Sequence, residues 1–250
     1  MIISHKHKFI FFHCRKIAGS SIKTNLNNIL GDEDIIIGSA NEILDLGQKL
    51  PRVSARRIYS VSGACGYLAS RCLFKGHNRS INNGIKLSFF WSLGLNPAHP
   101  DAKSVKKCFN HEFESYEKIG FVRNPWEQVV SDFNWRVNAT GATGVQFSDF
   151  VEDLYYGTNA TRLVPRGMVS NWRIISIDDE LILNRIGRFE SLDDDFSAIF
   201  ATYSPGLRLS SSAKVSGTTH EKYHKWYCDR SASQVYEMFS REIELLGYHF

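Results

Sequence analysis

The chain has 250 residues, of which 30 are Lys or Arg and 26 are Asp or Glu, giving a formal net charge of +4. Hydrophobic residues make up 43% and charged residues 22%, values that exclude a disordered or fibrous chain. The basic residues are dispersed instead of forming a stripe, so no nucleic-acid partner is expected. The apolar run from Phe9 to Phe12 is much shorter than a membrane span, so no transmembrane segment is predicted.

The cysteines point to a reducing compartment. There are five of them and none forms a CxxC pair, which indicates neither a disulfide framework nor a zinc site. We therefore expect reduced thiols, no bound metal and, with no recognisable export signal, a cytoplasmic protein. The length suits one large domain, and we predict a single domain over residues 1–250.

The first thirty residues predict a strand, a loop and a helix. Residues 8–13 are an aromatic and β-branched run, which is typical of a buried strand. Ser20 or Ser21 suits the start of a helix that extends to about Leu30, where Gly31 would end it.

A second strand and helix follow further along the chain. Residues 118–122 have the pattern of a short strand. Asn124 is a favourable N-cap and Pro125 suits the first helical turn. Apolar residues then repeat at helical spacing, which predicts a helix over 125–137.

Downstream elements alternate in the same way. Helices are predicted at 147–156, at 192–203 and from Asp229 to Leu246, and a strand is predicted at 185–189. This alternation indicates an α/β fold with a parallel sheet flanked by helices.

Residues 13–21 form the loop between the first strand and its helix. Such a loop presents backbone N–H groups beside the positive end of the helix, an arrangement that binds anions. Gly19 allows close approach and Lys16 adds a charge, while Ser20 and Ser21 add hydroxyl donors. Lysine precedes the glycine here, whereas it follows the last glycine in nucleoside-triphosphate loops. The order resembles the phosphosulfate-binding loop of sulfotransferases, and a turn without a ligand is the alternative.

Arg123 and Ser131 form the second candidate anion site. A guanidinium makes a two-pronged charged contact with phosphate oxygens, and a serine hydroxyl on the next helix adds a neutral donor. The alternative is an arginine paired with a surface carboxylate and a solvent-facing serine. In this order the pair resembles the pattern with which sulfotransferases hold the 3′-phosphate of 3′-phosphoadenosine 5′-phosphosulfate (PAPS).

Most of the chain resembles bacterial members of the carbohydrate (family 2) sulfotransferases. The resemblance is carried by residues 121–126, 187–192 and 241–250. It covers residues 1–30 and 99–250 and is poor over 31–98. It implies a P-loop-like α/β fold in which PAPS is the donor of a sulfonate group, without a metal. The implied acceptor is a hydroxyl on a glycan or on another small molecule.

The resemblance also implies site residues. The expected PAPS contacts are Arg15, Lys16, Ala18, Gly19, Ser20, Ser21, Arg123, Ser131 and Lys214. Lys16 is expected to stabilise the leaving phosphate. His99 matches a histidine that precedes residues 121–126 in the family, and as general base it would accept the acceptor's proton. A locally bonded loop histidine is the alternative, and His111 and Glu112 are reserve candidates for the base.

Residues 31–98 are the least regular part of the sequence. Residues 35–37 and 57–61 are two further strand candidates. Residues 76–97 combine Gly and Asn with an aromatic patch. We interpret 31–98 as a divergent insertion that binds the acceptor, with 76–97 shaping the acceptor pocket.

Two other functions remain open at this point. A nucleotide-dependent kinase on the same kind of sheet would require Mg²⁺ and a lysine directly after the loop glycine, and the sequence lacks that lysine. A non-catalytic glycan-binding or anion-binding module would bind adenosine 3′,5′-bisphosphate weakly or not at all.

Overall fold

The structure is a computed structural model that describes residues 1–74, 76–163, 170–210 and 223–250. The chain forms two compact units. The first comprises Met1–Val122 and Arg173–Ala213, and the second comprises Arg123–Trp172 and Lys214–Phe250. The single domain expected over 1–250 stays a prediction.

The first unit contains a five-stranded sheet with helices packed against it. The strands of the described residues are β1 (Ile2–Ser4), β2 (Phe9–Phe12), β3 (Ile35–Ile36), β4 (Glu117–Val122), β5 (Ser176–Ile177), β6 (Glu180–Leu181) and β7 (Arg185–Arg188). The sheet has the order β3-β1-β2-β4-β7, and β5 and β6 form a separate antiparallel pair. All four residues of β2 are buried, as expected for a continuous apolar run.

The sheet is mixed, which corrects the prediction of a parallel sheet. β2, β4 and β7 are parallel to one another, but β1 is antiparallel to both β2 and β3. Only residues 5–8 connect β1 to β2, whereas a parallel connection requires about a dozen residues or more. The short link therefore forces a hairpin at the start of the chain.

Fourteen α-helices lie in the described residues. In chain order they are α1 (Gly19–Leu26), α2 (Ala40–Asp45), α3 (Arg52–Arg56), α4 (Val61–Phe74), α5 (His77–Ser88), α6 (Phe90–Leu93), α7 (Ala102–Cys108), α8 (Asn110–Ser115), α9 (Pro125–Thr140), α10 (Phe147–Tyr156), α11 (Trp172–Ile175), α12 (Leu192–Phe200), α13 (Asp229–Met238) and α14 (Ser240–Leu246). Short 3₁₀ helices are formed by Arg57–Tyr59, Phe189–Ser191 and His224–Trp226. Within the described part of the chain, no helix is both long and apolar enough to cross a membrane.

The candidate strand at 57–61 is wrong, because this segment becomes helical. Arg57–Tyr59 is a 3₁₀ turn, and α4 begins at Val61. Ser60 is extended, and its hydroxyl oxygen accepts a hydrogen bond from the backbone N–H of Gly63 at 3.1 Å. Ser60 thus acts as an N-cap, which starts a helix where β-branched residues suggested a strand.

Several helix bounds also differ from their predictions. α1 starts at Gly19, with Ala18 and not Ser20 or Ser21 as its N-cap, and it ends at Leu26 instead of about Leu30. α9 extends to Thr140 instead of about residue 137, and α12 ends at Phe200 instead of residue 203. The predicted final helix is divided into α13 and α14, which meet at Phe239. The backbone of Phe239 leaves the helical region there (φ −117°, ψ 17°), and its side chain is buried.

Candidate active site

The predicted anion-binding loop joins β2 to α1 in the first unit. Lys16 and Ala18 have positive φ values of 63° and 56°, which are uncommon for residues with a side chain. Ala18 is the N-cap residue of α1, and no described side chain caps the helix. The first N–H groups of α1 have no partner within the helix, and they carry its partial positive charge.

Gly19 is required by the histidine that precedes the loop. A Cβ atom at position 19 would lie 1.7 Å from Nε2 of His13, so no other residue fits while His13 keeps this position. The His13 side chain is buried, and its Nδ1 has no hydrogen-bond partner among the described residues. The imidazole of His13 therefore covers the first residue of α1.

His99, the candidate base, lies against this loop. Its Nδ1 is 2.7 Å from the carbonyl oxygen of His13, and the two ring centroids are 4.2 Å apart. A carbonyl oxygen only accepts, so Nδ1 carries the hydrogen and the lone pair is on Nε2. The structure therefore brings His99 to the loop across 86 residues of sequence.

Lys23 is a third member of this cluster, and the sequence reasoning missed it. Its side chain is fully buried, and Nζ donates a hydrogen bond to the carbonyl oxygen of Ile37 at 3.1 Å. Burial lowers the pKa of Lys23 to about 7, although Glu42 opposes the shift. The missed signal is periodicity, since Lys23 lies at the i+4 position from Gly19 on the buried face of α1.

These groups create a positive environment at the loop. Burial, and then the charge of Lys23, lower the pKa of His99 to about 3, and Arg15 contributes in the same direction. The pKa of His13 is also well below its usual value because of burial, Lys23 and His99. Both imidazoles are therefore neutral at neutral pH, and an anion bound nearby would be stabilised by the lysine and arginine charges.

The hydroxyls of the loop face a cavity that also contains carboxylates. A cavity of about 310 Å³ is lined by Ser20, Ser21, Thr24, Asn25, Glu42, Asp45, Leu46 and Ser210. The hydroxyl of Ser20 donates to Oε1 of Glu42 at 3.1 Å and lies 3.1 Å from the Ser39 hydroxyl. A serine has one O–H to donate, so Ser20 can donate to an anion only when its hydrogen bond to Glu42 is broken.

In the second unit, Arg123 is buried and ion-paired. Its side chain is 4% exposed, and one guanidinium nitrogen lies 3.0 Å from Oε1 of Glu127. The side chain of Asn124 caps α9 by accepting from the backbone N–H groups of Trp126 and Glu127, which confirms the predicted N-cap. Ser131 lies in the second turn of α9 and is half-buried. The carboxylate partner predicted as the alternative for Arg123 is therefore present, but it is buried.

The remaining candidates are placed as follows. His111 and Glu112 lie on α8, where His111 is exposed and Glu112 is 4.0 Å from Nδ1 of His5. Lys214 lies outside the described residues. Among the described residues, no group of three or more His, Cys, Asp or Glu side chains could hold a metal ion. The absence of a metal from the reaction stays a prediction.

Comparison with known proteins gives the class of the chain. The family model Sulfotransfer_2, described as Sulfotransferase family, matches residues 1–249 and so includes the irregular segment 31–98. No curated protein and no solved structure matches significantly. A match of this extent defines an enzyme that transfers a sulfonate group from a donor to a hydroxyl-bearing acceptor. The chain belongs to the sulfotransferase family.

Proposed function

We propose that the chain uses PAPS to transfer a sulfonate group to a carbohydrate hydroxyl, with His99 as the general base. The observation that supports this most directly is the 2.7 Å hydrogen bond from His99 Nδ1 to the His13 carbonyl oxygen. It holds a neutral imidazole beside a strand-to-helix loop with a positive environment. Family membership makes sulfonate transfer the reaction for which this arrangement is suited.

The loop suits an anionic donor, although one of its hydroxyls, that of Ser20, is engaged by Glu42. Arg15 and Lys16 supply charge, and the backbone at Ala18 and Gly19 supplies N–H groups at the start of α1. We assign the phosphosulfate end of PAPS to these groups and to the hydroxyl of Ser21. The hydroxyl of Ser20 joins them only when its proton turns away from Glu42.

We assign the 3′-phosphate of PAPS to Arg123 and Ser131. A guanidinium has five N–H donors, so Arg123 can hold Glu127 and a phosphate oxygen together. In this proposal Glu127 orients the guanidinium instead of competing for it. Lys214 is proposed as a further phosphate contact, from a segment outside the described residues.

His99 and Lys16 have separate parts in the reaction. PAPS, when bound, supplies the sulfonate group and leaves as adenosine 3′,5′-bisphosphate. As the acceptor oxygen forms the new O–S bond, Nε2 of His99 takes the hydroxyl proton. Lys16 stabilises the charge that forms on the leaving phosphate, so the protein contributes alignment and fixed charges.

The low pKa of His99 links the base to donor binding. Positive charges account for part of the shift to about 3, and the negative charges of a bound donor would oppose them. An opposite charge nearby favours the protonated imidazole and raises its pKa. His99 therefore becomes a stronger base when the donor is in place.

The acceptor is proposed to bind at residues 76–97. The aromatic patch expected there is divided, because Phe89 and Leu93 are core residues whereas Trp91 is exposed. We propose that the buried part supports the acceptor pocket. We also propose a cytoplasmic location, which the five free thiols support.

Calorimetry and transfer assays test the proposal together. We expect adenosine 3′,5′-bisphosphate to bind without Mg²⁺, and ATP with Mg²⁺ to bind at least about tenfold more weakly. Transfer of labelled sulfonate to a panel of glycans should be lost in Lys16→Ala. Tighter binding of Mg²⁺–ATP would instead support a kinase, and binding of glycan without transfer would support a non-catalytic module. Shortening 76–97 should weaken acceptor turnover more than nucleotide binding.

A further inference from the structure

The hairpin formed by α4 and α5 places small residues at its centre. A Cβ atom at Gly84 would lie 2.8 Å from the carbonyl oxygen of Gly63, and one at Gly66 would lie 2.8 Å from Cβ of Leu87. The backbones therefore approach so closely that glycine is required on both helices. The centre of this hairpin has no room for large apolar side chains.

Polar side chains complete the contact between the two helices. The hydroxyl oxygens of Ser80 and Ser70 lie 3.3 Å apart, and the amide of Asn83 donates to the Ser70 oxygen at 2.9 Å. Ser70 and Ser80 are buried. Hydrogen bonds and small residues thus hold α4 to α5, whereas an ordinary helix pair is held by apolar side chains.

The opposite face of α4 is apolar and exposed. Its exposed apolar residues are Val61, Cys65, Leu68, Ala69, Cys72 and Leu73, and Arg71 is exposed on the same helix. Val61, Cys65, Leu68 and Cys72 are spaced by four, three and four residues, so they form one stripe along the helix. Val61 is 85% exposed and Leu73 is 74% exposed. A stripe of this kind ordinarily faces a partner.

Two large apolar residues follow in the same segment. Trp91, on α6, is 87% exposed, and Leu95 is 89% exposed. Isolated apolar residues are normal on a protein surface, but several in one segment mark an interaction surface. We call the exposed apolar residues of α4 the outer apolar face.

The segment that carries this face has an unusual charge. Residues 46–100 contain eight Lys or Arg and no Asp or Glu. The other 195 residues contain 22 basic and 26 acidic residues, so they are net negative. The exposed basic side chains described in the segment are Lys49, Arg52, Arg56, Arg71 and Arg79, of which Arg52 is ion-paired with Glu33 outside the segment. The expectation of dispersed basic residues therefore does not hold locally.

We propose that the outer apolar face binds the surface of an anionic lipid bilayer. Apolar side chains would enter the region between headgroups and acyl chains while Arg71, exposed on the same helix, and other basic residues of the segment contact anionic headgroups. α4 has 14 residues, too few to span the hydrocarbon core, so the helix lies along the surface.

The charge of the segment favours a bilayer over two other possible partners of the outer apolar face, which are a second copy of the chain and a nucleic acid. A second copy would bring two segments of eight positive charges together, and like charges at an interface are unfavourable. A nucleic acid would satisfy the charges, but it would leave the aliphatic stripe of Val61 and Leu68 unused. An anionic bilayer satisfies both the charge and the apolar stripe. This inference does not depend on the proposed sulfonate transfer.

Co-sedimentation with vesicles tests the proposal. We expect the full chain to sediment with vesicles of phosphatidylcholine and phosphatidylglycerol, and not with phosphatidylcholine alone, with binding reduced by high salt. Leu68→Glu/Leu73→Glu should lower the partition coefficient at least about tenfold. Leu245→Glu, at another exposed leucine, is the matched control. Arg71→Glu should weaken binding at least about fivefold, and Lys107→Glu should not.

Several outcomes would overturn the proposal. One is the absence of binding to anionic vesicles, and another is equal binding by the Leu68/Leu73 variant and the wild type. A dimer in sedimentation velocity that this variant dissociates would identify a second copy as the occupant. Duplex DNA that prevents vesicle binding and itself binds independently of Leu68 would identify a nucleic acid. Circular dichroism and binding of adenosine 3′,5′-bisphosphate verify that each variant is folded.

Discussion

The imidazole of His99 donates a hydrogen bond from Nδ1 to the backbone carbonyl of His13, and the two rings lie 4.2 Å apart. His13 directly follows β2, and His99 lies two residues before the Asp101 that caps α7. The bond therefore ties a loop histidine to the end of a sheet strand. It fixes which ring nitrogen carries the hydrogen and leaves the lone pair on Nε2, the nitrogen that would accept the proton.

Replacing His99 should affect turnover more than donor binding. In His99→Gln the side chain can no longer take the acceptor's proton, so we expect kcat to fall about 10²–10⁴-fold. Affinity for adenosine 3′,5′-bisphosphate, measured by calorimetry, should stay within about threefold. His111→Gln is the control, and an equal loss in both variants would contradict the assignment of His99.

Replacing Lys23 should stabilise the protein but weaken it as an enzyme. Burial lowers the pKa of Lys23 to about 7 in the folded state, below its unfolded value. The unfolded state therefore binds the proton more readily between about pH 7 and 10.5, so wild-type stability rises with pH across that window. Lys23→Met should add about 2–5 kcal/mol to the free energy of unfolding at pH 6 and reduce donor affinity.

Urea unfolding at pH 6 and pH 9 measures this effect. The difference in stability between the two pH values should shrink in Lys23→Met and stay unchanged in Lys107→Met, which alters an exposed lysine. A Lys23→Met protein less stable than the wild type at pH 6 would show that the lysine's hydrogen bond to Ile37 outweighs the cost of its burial.

Variants of the buried pair Arg123 and Glu127 can distinguish a structural role of Arg123 from a role in binding the 3′-phosphate. Arg123→Met leaves the Glu127 carboxylate buried without its partner, which should cost about 3–5 kcal/mol of stability. Arg123→Met/Glu127→Met removes both charges and should recover much of that loss. If Arg123 also holds the 3′-phosphate, the double variant should bind adenosine 3′,5′-bisphosphate much more weakly but adenosine 5′-phosphate as the wild type does. If the wild type and the double variant bound the bisphosphate equally well, Arg123 would have a structural role and no role in binding the 3′-phosphate.

Glu242 should make the protein less stable as the pH rises through neutrality. Burial raises its pKa to about 7, although Ser170 and the backbone N–H of Trp172 and Asn171 oppose the shift. The folded state then holds the proton more tightly than the unfolded state between about pH 4.5 and 7, so stability falls across that window. Glu242→Gln should remove this fall and be more stable at pH 8 by about 2–3 kcal/mol, as thermal unfolding would show. A variant that keeps the wild-type pH dependence would assign the fall to another group.

Much of the fold follows from local sequence patterns. β2 is an apolar run and β4 ends in one, both next to turn residues, and the N-cap at Asn124 is explicit in the sequence. β1 is three residues long, and although the short link explains its hairpin with β2, its pairing with β3 depends on contacts that no local pattern encodes. α4 was hidden for a different reason, because its glycines and serines face inward and its large apolar residues face outward, the reverse of an ordinary helix.

The candidate site, like the fold, can be predicted from the sequence only in part. The loop at 13–21 and His99 could be predicted from motifs and from resemblance to a family. The contributions of His13 and Lys23 could not, since a buried lysine is defined by the packing around it. The pairing of Arg123 with Glu127 has the i, i+4 spacing of a helical ion pair, but its burial depends on tertiary structure.

The contact between His13 and Gly19 restricts how the sequence of this loop can evolve. Because the histidine ring occupies the volume that any side chain at position 19 would need, neither position can vary alone without a clash or a hole. Among homologues, we expect the two positions to covary, with a larger residue at 19 found only where a smaller one replaces the histidine.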